Sequence, residues 1–157
     1  MEGQFPDTRF DLVTGFIQLT PDVIIVSDEL NHCLRFLDRK TYSTHTFAGT
    51  CQKAGWRNGA LLKALFFRPT SLITYHQFLY AIEYGNEAIR KIDHQNDIVS
   101  RILSFEHGTL PHSLIILRDS AFVTTTTKGV LEIIRLSGGG SPAVRTFSAE
   151  TNEDPHE

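Results

Sequence analysis

The chain has 157 residues, of which 41% are hydrophobic and 10% aromatic, and 15 Lys and Arg against 18 Asp and Glu give a formal net charge of −3. This length and apolar content predict a folded domain rather than a disordered chain, and no apolar run approaches the ~20 residues of a membrane helix. The slightly acidic balance lacks the basic footprint of nucleic-acid-binding proteins, so we expect neither a nucleic-acid nor a membrane partner.

The first predicted unit spans residues 10–68 and follows a polar segment, residues 1–9, which we interpret as a tail or a stray strand. Apolar runs separated by turn-forming residues predict four short strands in this unit. They are Phe10–Thr20, Val23–Ser27, Cys33–Asp38 and Tyr42–Ala48. An insertion follows, Gly49–Arg68, in which Ala60–Phe66 has the Ala and Leu content and the length of about two helical turns.

Two further units with the same strand pattern follow, at residues 69–110 and 111–148. The predicted strands of the second unit are Ser71–Tyr75, Phe78–Glu83, Ala88–Asp93 and Ile98–Phe105. Those of the third are Ser113–Leu117, Ala121–Thr127, Val130–Leu136 and Ala143–Phe147. Residues 149–157 form a charged C-terminal tail with nothing apolar to bury.

The three units are copies of one repeat. The segments NHCLRFLD, residues 31–38, and NEAIRKID, residues 86–93, share Asn, Arg and Asp at the same positions. A weaker third copy, residues 121–135, has Lys128-Gly129 where the first two have Asn-His and Asn-Glu. A repeat of roughly 40 residues with strand-like content is typical of propeller blades.

This pattern resembles the NHL repeat, which is named for Asn-His-Leu, and Asn31-His32 keeps two of its letters. The segment Thr46–Thr70, with TFAG, a pair of glycines around Trp56 and an aromatic-X-Pro-Thr step, is similar to the inter-repeat segment of NHL propellers. The resemblance covers most of residues 10–148 and implies blades of a ring that usually has six. We therefore predict an all-β chain of three four-stranded NHL-like blades, which is half of a β-propeller.

Cys33 and Cys51 are the only cysteines. A hairpin turn near residues 39–41 would place Cys33 roughly opposite Ala48, so Cys51 would lie within reach of a disulfide if the strand end curls back. Two reduced, half-buried thiols are the alternative. We predict the disulfide, and an oxidising, extracellular location is favoured only if the bridge forms.

In propellers, the loops that join second to third strands share a face with the loops that join successive blades, and ligands usually bind there. The candidate binding residues on this face are Trp56, Arg57, Asn31, His32, Tyr84, Asn86 and His112. Trp and Arg are enriched at interface hot spots, although Trp56 could instead be buried against its own loop. Asn31 and Asn86 also suit tight turns, and we expect Arg35 and Arg90 to pair with Asp or Glu on an adjacent strand.

His112 is the candidate metal ligand. It lies at the start of an inner strand, beside the central channel of the expected propeller. The segment around it, residues 110–114, resembles the one that supplies zinc-ligating His in the amidating lyases. A catalytic zinc needs three protein ligands, whereas Gly15 and Thr70 fill the equivalent positions of the other two blades. A strand-end His with a structural role is the competing interpretation, and we predict no metal and no cofactor.

These patterns predict a non-enzymatic NHL-type interaction module that binds a protein or other ligand through the loop face. The alternative is a metal-dependent propeller enzyme of the amidating-lyase or lactonase type. Because Val23–Val26 and Ile133-Ile134 would lack neighbouring blades, we expect two copies to close a six-bladed ring as a homodimer. A half ring that is part of a longer chain is the alternative to the dimer.

Overall fold

The computed structural model describes residues 3–4, 9–117, 120–125, 131–135 and 143–147, with side chains from residue 9 to residue 116. The first sheet contains β1 (Gly3–Gln4), β2 (Val13–Thr20), β3 (Val23–Asp28), β4 (Cys33–Asp38) and β5 (Ser43–Ala48). The second contains β6 (Pro69–Tyr75), β7 (Phe78–Glu83), β8 (Ala88–Asp93) and β9 (Ile98–Ser104). The third contains β10 (Pro111–Leu117), β11 (Ser120–Thr125), β12 (Leu131–Arg135) and β13 (Ala143–Phe147).

All three sheets are antiparallel, with strand orders β1-β5-β4-β3-β2, β6-β7-β8-β9 and β10-β11-β12-β13, and each contains a meander of four consecutive strands. The innermost strands β2, β6 and β10 lie next to one another in that order, as the inner strands of propeller blades do. Gly3 and Gln4 pair with Thr44 and Ser43, which adds a fifth strand to the outer edge of the first sheet. The predicted all-β fold built from propeller blades is confirmed.

The seam between the first two blades holds most of the described core. Ile25 and Leu34 of the first blade pack in one cluster with Leu72, Leu79 and Ile92 of the second, and all five are buried. Side chains on a strand alternate between the two faces of its sheet, and both faces of a middle blade are covered. Accordingly Tyr80, Ile82 and Ile89 point the other way and pack with Leu114 of the third blade.

The insertion fills the first seam rather than forming a helix of two turns. Its only helical residues are the 3-10 turn Leu61–Lys63, so the prediction for Ala60–Phe66 is wrong. Leu61, Ala64 and Phe66 are all buried in the seam, and the Phe66 carbonyl accepts a hydrogen bond from the Gly55 N–H at 3.0 Å. An extended backbone both buries these three side chains in the seam and allows the Gly55–Phe66 hydrogen bond. Tertiary packing therefore overrides the weak helix propensity of this segment. No helix in the described residues is long and apolar enough to cross a membrane.

One expectation about the outer blades is wrong in part, and three others concern residues that the structure does not describe. The prediction that Val23–Val26 has no neighbour is wrong for Ile25, which packs in the first seam, and Val26 is also buried. The side chains of Ile133 and Ile134, the turn at Lys128-Gly129 and the tail 149–157 lie outside the described residues.

The predicted disulfide between Cys33 and Cys51 is confirmed, with the two Cα atoms 5.0 Å apart. It joins the start of β4 to the insertion. Ala48 pairs with Leu34 rather than with Cys33, because the register shifts between Leu34 and Arg35. The bridge therefore anchors the first part of the insertion to the blade from which it departs.

Candidate binding face

A buried carboxylate at the end of β7 organises the loops above the second blade. Glu83 accepts hydrogen bonds from the Phe67 N–H at 2.9 Å, from Asn86 Nδ2 at 3.1 Å and from Arg90 Nη1 at 3.0 Å. The side chains of Glu83 and Arg90 are both completely buried. Burial raises the pKa of the Glu83 carboxyl above its ordinary value of 4.5, and the guanidinium of Arg90 opposes that shift.

The first blade repeats this cluster. Asp28 accepts hydrogen bonds from the Asp11 N–H at 2.7 Å and from Asn31 Nδ2 at 3.0 Å, and its Oδ2 lies 3.6 Å from Arg35 Nη1. The prediction that Arg35 and Arg90 pair with acidic residues on an adjacent strand therefore agrees with the structure. In both blades the cluster ties the segment entering the inner strand to the loop between the second and third strands, so it positions two loops of the binding face together.

The two predicted asparagines face inward. Asn31 bonds to Asp28, whereas Asn86 bonds to Glu83 and also donates to the Gly55 carbonyl at 2.9 Å. Their amides are therefore engaged in holding turns and the insertion, as expected of short polar residues in tight turns.

Trp56 covers the arginines of the second blade. Its ring centroid lies 4.6 Å from Arg90 Cζ and 5.0 Å from Arg101 Cζ. These two arginines are cross-strand partners and project from the same face of the sheet. Trp56 nevertheless remains 40% exposed, so it is neither a core residue nor a free one. Arg57 is exposed, and its Nε donates to the Lys63 carbonyl at 2.6 Å.

Three of the predicted residues, His32, Tyr84 and His112, belong to a second group, which we call the loop-face patch: His32, Phe67, Arg68, Tyr84 and His112. The rings of His32 and Phe67 meet edge to face, with centroids 5.4 Å apart. The Arg68 guanidinium lies 4.6 Å from the Tyr84 ring centroid, and the rings of Tyr84 and His112 are 5.9 Å apart. Phe67 and His112 are exposed and the other three half-buried, so the patch crosses all three blades as a continuous surface.

The backbone beneath the patch is held in an uncommon conformation. His32 and Arg68 have φ angles of 59° and 54°, a region that non-glycine residues adopt rarely. Hydrogen bonds from main-chain N–H groups hold it: the Arg68 N–H donates to the ring Nδ1 of His32 at 3.3 Å, and the Tyr84 N–H donates to the Arg68 carbonyl at 2.9 Å. At the edge of the patch, Arg68 Nη2 pairs with Glu29 Oε1 at 2.6 Å. Such constraints preset the loop conformation.

The strand register corrects the predicted equivalents of His112. Val13, Pro69 and Pro111 pair with the last residues of their neighbouring strands, so the next positions, Thr14, Thr70 and His112, correspond. Gly15 is therefore one residue beyond the equivalent position, and the register shifts in the same way after the first pair of all three strands. Among the described residues, no three His, Cys, Asp or Glu lie where they could hold one metal ion.

Sequence reasoning did not single out Phe67, Arg68 and Glu29 as parts of this face. Phe67 and Arg68 belong to the aromatic-X-Pro-Thr step Phe67–Thr70, which the resemblance assigns to the segment between blades, and Glu29 lies two residues before Asn31. Their position between two blades is the signal in the sequence, because the segments that join successive blades pass over the loop face.

No protein-family model matches the chain, and no curated protein matches it in sequence. Solved structures do match. A streptogramin B lyase aligns with 96% of this chain at 9% identity and a TM-score of 0.68, and virginiamycin B lyase from Staphylococcus aureus aligns with 96% at 9% identity and 0.64. Hydrazine synthase from Kuenenia stuttgartiensis aligns with 94% at 15% identity and 0.62.

The chain spans 44% and 45% of the two lyase chains and 40% of the synthase chain. At these identities the likeness concerns the fold alone. Together with the three sheets and the order of their inner strands, it shows that this chain has a β-propeller-like fold.

Proposed function

We propose that this chain is a non-enzymatic propeller module that binds a protein partner through the loop-face patch. The observation that carries the proposal is the continuous surface formed by His32, Phe67, Arg68, Tyr84 and His112. Aromatic residues and arginine are enriched in the energetic centres of protein interfaces. The constrained backbone conformation beneath the patch favours binding, because a rigid surface loses less conformational entropy when a partner docks.

We further infer that the first two blades are NHL-type repeats. The support is the cluster in which a strand-end carboxylate binds an Asn three residues later and an Arg seven residues later, which occurs at Asp28 and again at Glu83. In the third blade Thr125 stands at the carboxylate position and Lys128 at the Asn position. The NHL-like pattern is thus carried by two blades of the three.

The Cys33–Cys51 bridge supports a location in an oxidising compartment, because cytosolic thiols are kept reduced. An extracellular partner is therefore the first class to search.

The test begins with the wild-type chain immobilised and exposed to an extract of its source, with retained proteins quantified by mass spectrometry. The matched variants are Tyr84→Ala combined with His112→Ala, and Gln77→Ala as the control. Gln77 is exposed in the β6–β7 turn, at the opposite end of the strands. Circular dichroism confirms that each variant is folded before it is compared.

A protein retained by wild type is then purified, and its dissociation constant is measured by calorimetry. We expect the patch variant to bind at least about tenfold more weakly, since hot-spot truncations cost 2 kcal/mol or more. The Gln77 control should stay within about twofold of wild type. If the patch variant retains the same proteins with the same affinity as wild type, the loop-face patch is not the binding site.

A further inference from the structure

The inner strand of the first blade exposes one side of an interface like those between the blades. Phe16, Leu72 and Leu114 occupy the same position, three residues after the equivalent strand starts. Leu72 and Leu114 are only 6% and 3% exposed, because each packs against the preceding blade. Among the described residues no blade precedes Phe16, and Phe16 is 73% exposed.

The inner strand of the third blade exposes the opposite side of such an interface. The next position along each inner strand holds Ile17, Ile73 and Ile115, whose side chains point to the opposite face of the sheet. Ile17 packs in the first seam and Ile73 in the second, so this position faces the following blade. Ile115 is 59% exposed. In the register of this sheet Ile115 pairs with Phe122, and Phe122 pairs with Ile133, so three apolar residues lie side by side across the third blade.

The N-terminal segment leaves the inner part of the first end face open. Phe10 lies over the Arg35 guanidinium, with its ring centroid 5.6 Å from Cζ, just as Phe66 lies over Arg90 at 5.0 Å. Phe10 therefore occupies the place over the arginine that Phe66, at the end of the insertion, occupies in the first seam. Beside it, the inner strands of the first blade line an open groove, to which Phe16, Gln18, Ile24 and Arg39 contribute.

We propose that the two end faces bind each other between two copies of this chain, with Phe16 of one copy against Ile115 of the other. In both seams inside the chain, the side chain equivalent to Phe16 packs with the side chain equivalent to Ile115. Each end face therefore carries the position that would pack against the other end face. A dimer with two-fold symmetry buries both end faces at once and closes the ring of blades. It supplies six blades, within the four to eight that closed propellers use. This inference is independent of the loop-face patch, which lies outside both end faces.

The test is the mass of the full chain in solution at micromolar concentration, measured by light scattering and sedimentation. Wild type should have about twice the 17.7 kDa of one chain. Phe16→Asp and Ile115→Lys should each give a mass of one chain while keeping the circular dichroism spectrum, since both side chains are largely exposed in the single copy. Leu62→Asp is the matched control, because Leu62 is 57% exposed on the insertion and belongs to neither end face; it should retain the wild-type mass.

The decisive variant combines Phe16→Asp with Ile115→Lys in one chain. If these positions face each other across the copies, opposite charges meet in both seams and the doubled mass returns, in a form that added salt weakens. A wild-type mass of one chain would overturn the proposal and favour further blades from a longer chain as the mate. A double variant that stays at the mass of one chain, or a Phe16→Asp variant that stays paired, would overturn the proposed contact.

Discussion

The buried Glu83–Arg90 pair should be one of the most sensitive points of the fold. Arg90 is fully buried, and besides the ion pair it donates to the carbonyls of Leu65 and Arg57 and to Asn58 Oδ1, at 2.9 to 3.1 Å. Substituting Arg90→Met keeps an apolar stem but leaves the carboxylate without its cation. Removing one partner of a buried pair costs about 3–5 kcal/mol. We expect a loss of that size in urea unfolding at pH 7, followed by circular dichroism.

The matched control is Arg101→Met. Arg101 is the cross-strand partner of Arg90 and also lies under Trp56, but it is exposed and its Nη1 donates only to Ser104 Oγ among the bonds described, at 3.0 Å. Its substitution should cost less than about 1 kcal/mol. The double variant Glu83→Gln with Arg90→Met should be more stable than Arg90→Met alone, because no uncompensated charge remains buried.

The pH dependence gives a second readout of the same pair. Burial already raises the pKa of Glu83 in the folded protein, and removing Arg90 should raise it further. Stability linked to a raised carboxyl pKa is fully present below the unfolded value near 4.5 and is lost as the pH rises through the folded pKa. The deficit of Arg90→Met relative to wild type should therefore be smaller at pH 4 than at pH 7. A loss below about 1 kcal/mol at pH 7, or a deficit independent of pH, would refute this account.

Three other outcomes follow from the structure. Denatured, unreduced protein should titrate no free thiol, and replacing Cys33 and Cys51 by Ser should cost about 3 kcal/mol in unfolding free energy; two reactive thiols would contradict the bridge. Trp56→Ala should cost about 0.5–2 kcal/mol, the range of a partly exposed cation–π contact, whereas a loss of 3 kcal/mol or more would place this side chain in the core. Gly85→Ala would put a Cβ 2.5 Å from Phe67 Cδ1, so we expect a loss of about 1–3 kcal/mol from overpacking, and an unchanged melting temperature would be inconsistent with that contact.

The candidate face was predictable only in part. His32, Tyr84 and His112 were identified because the repeat places their loops at one end of the strands, and this depends on order along the chain. Phe67 and Arg68 were missed as members of the patch, since their exposure depends on how the insertion returns across the seam. Whether Trp56 is core or surface was open for the same reason, and the structure places it between the two, over buried Arg90.

The sequence by itself determined the strands, the three-fold repetition and the pairing of the cysteines. The strands are local features, because an apolar run and its flanking turn residues carry the information within about ten residues, as Cys33–Asp38 and Ala88–Asp93 show. The repetition follows from comparing such segments with one another, and the two cysteines lie 18 residues apart beside one hairpin. Tertiary structure decided the rest. The insertion is extended because Phe66 must reach the seam, and Thr14 rather than Gly15 matches His112 because pairing with the neighbouring strand sets where each inner strand begins. Contacts between residues far apart in the chain set both outcomes, and their free energies exceed the fraction of a kcal/mol by which local propensities differ.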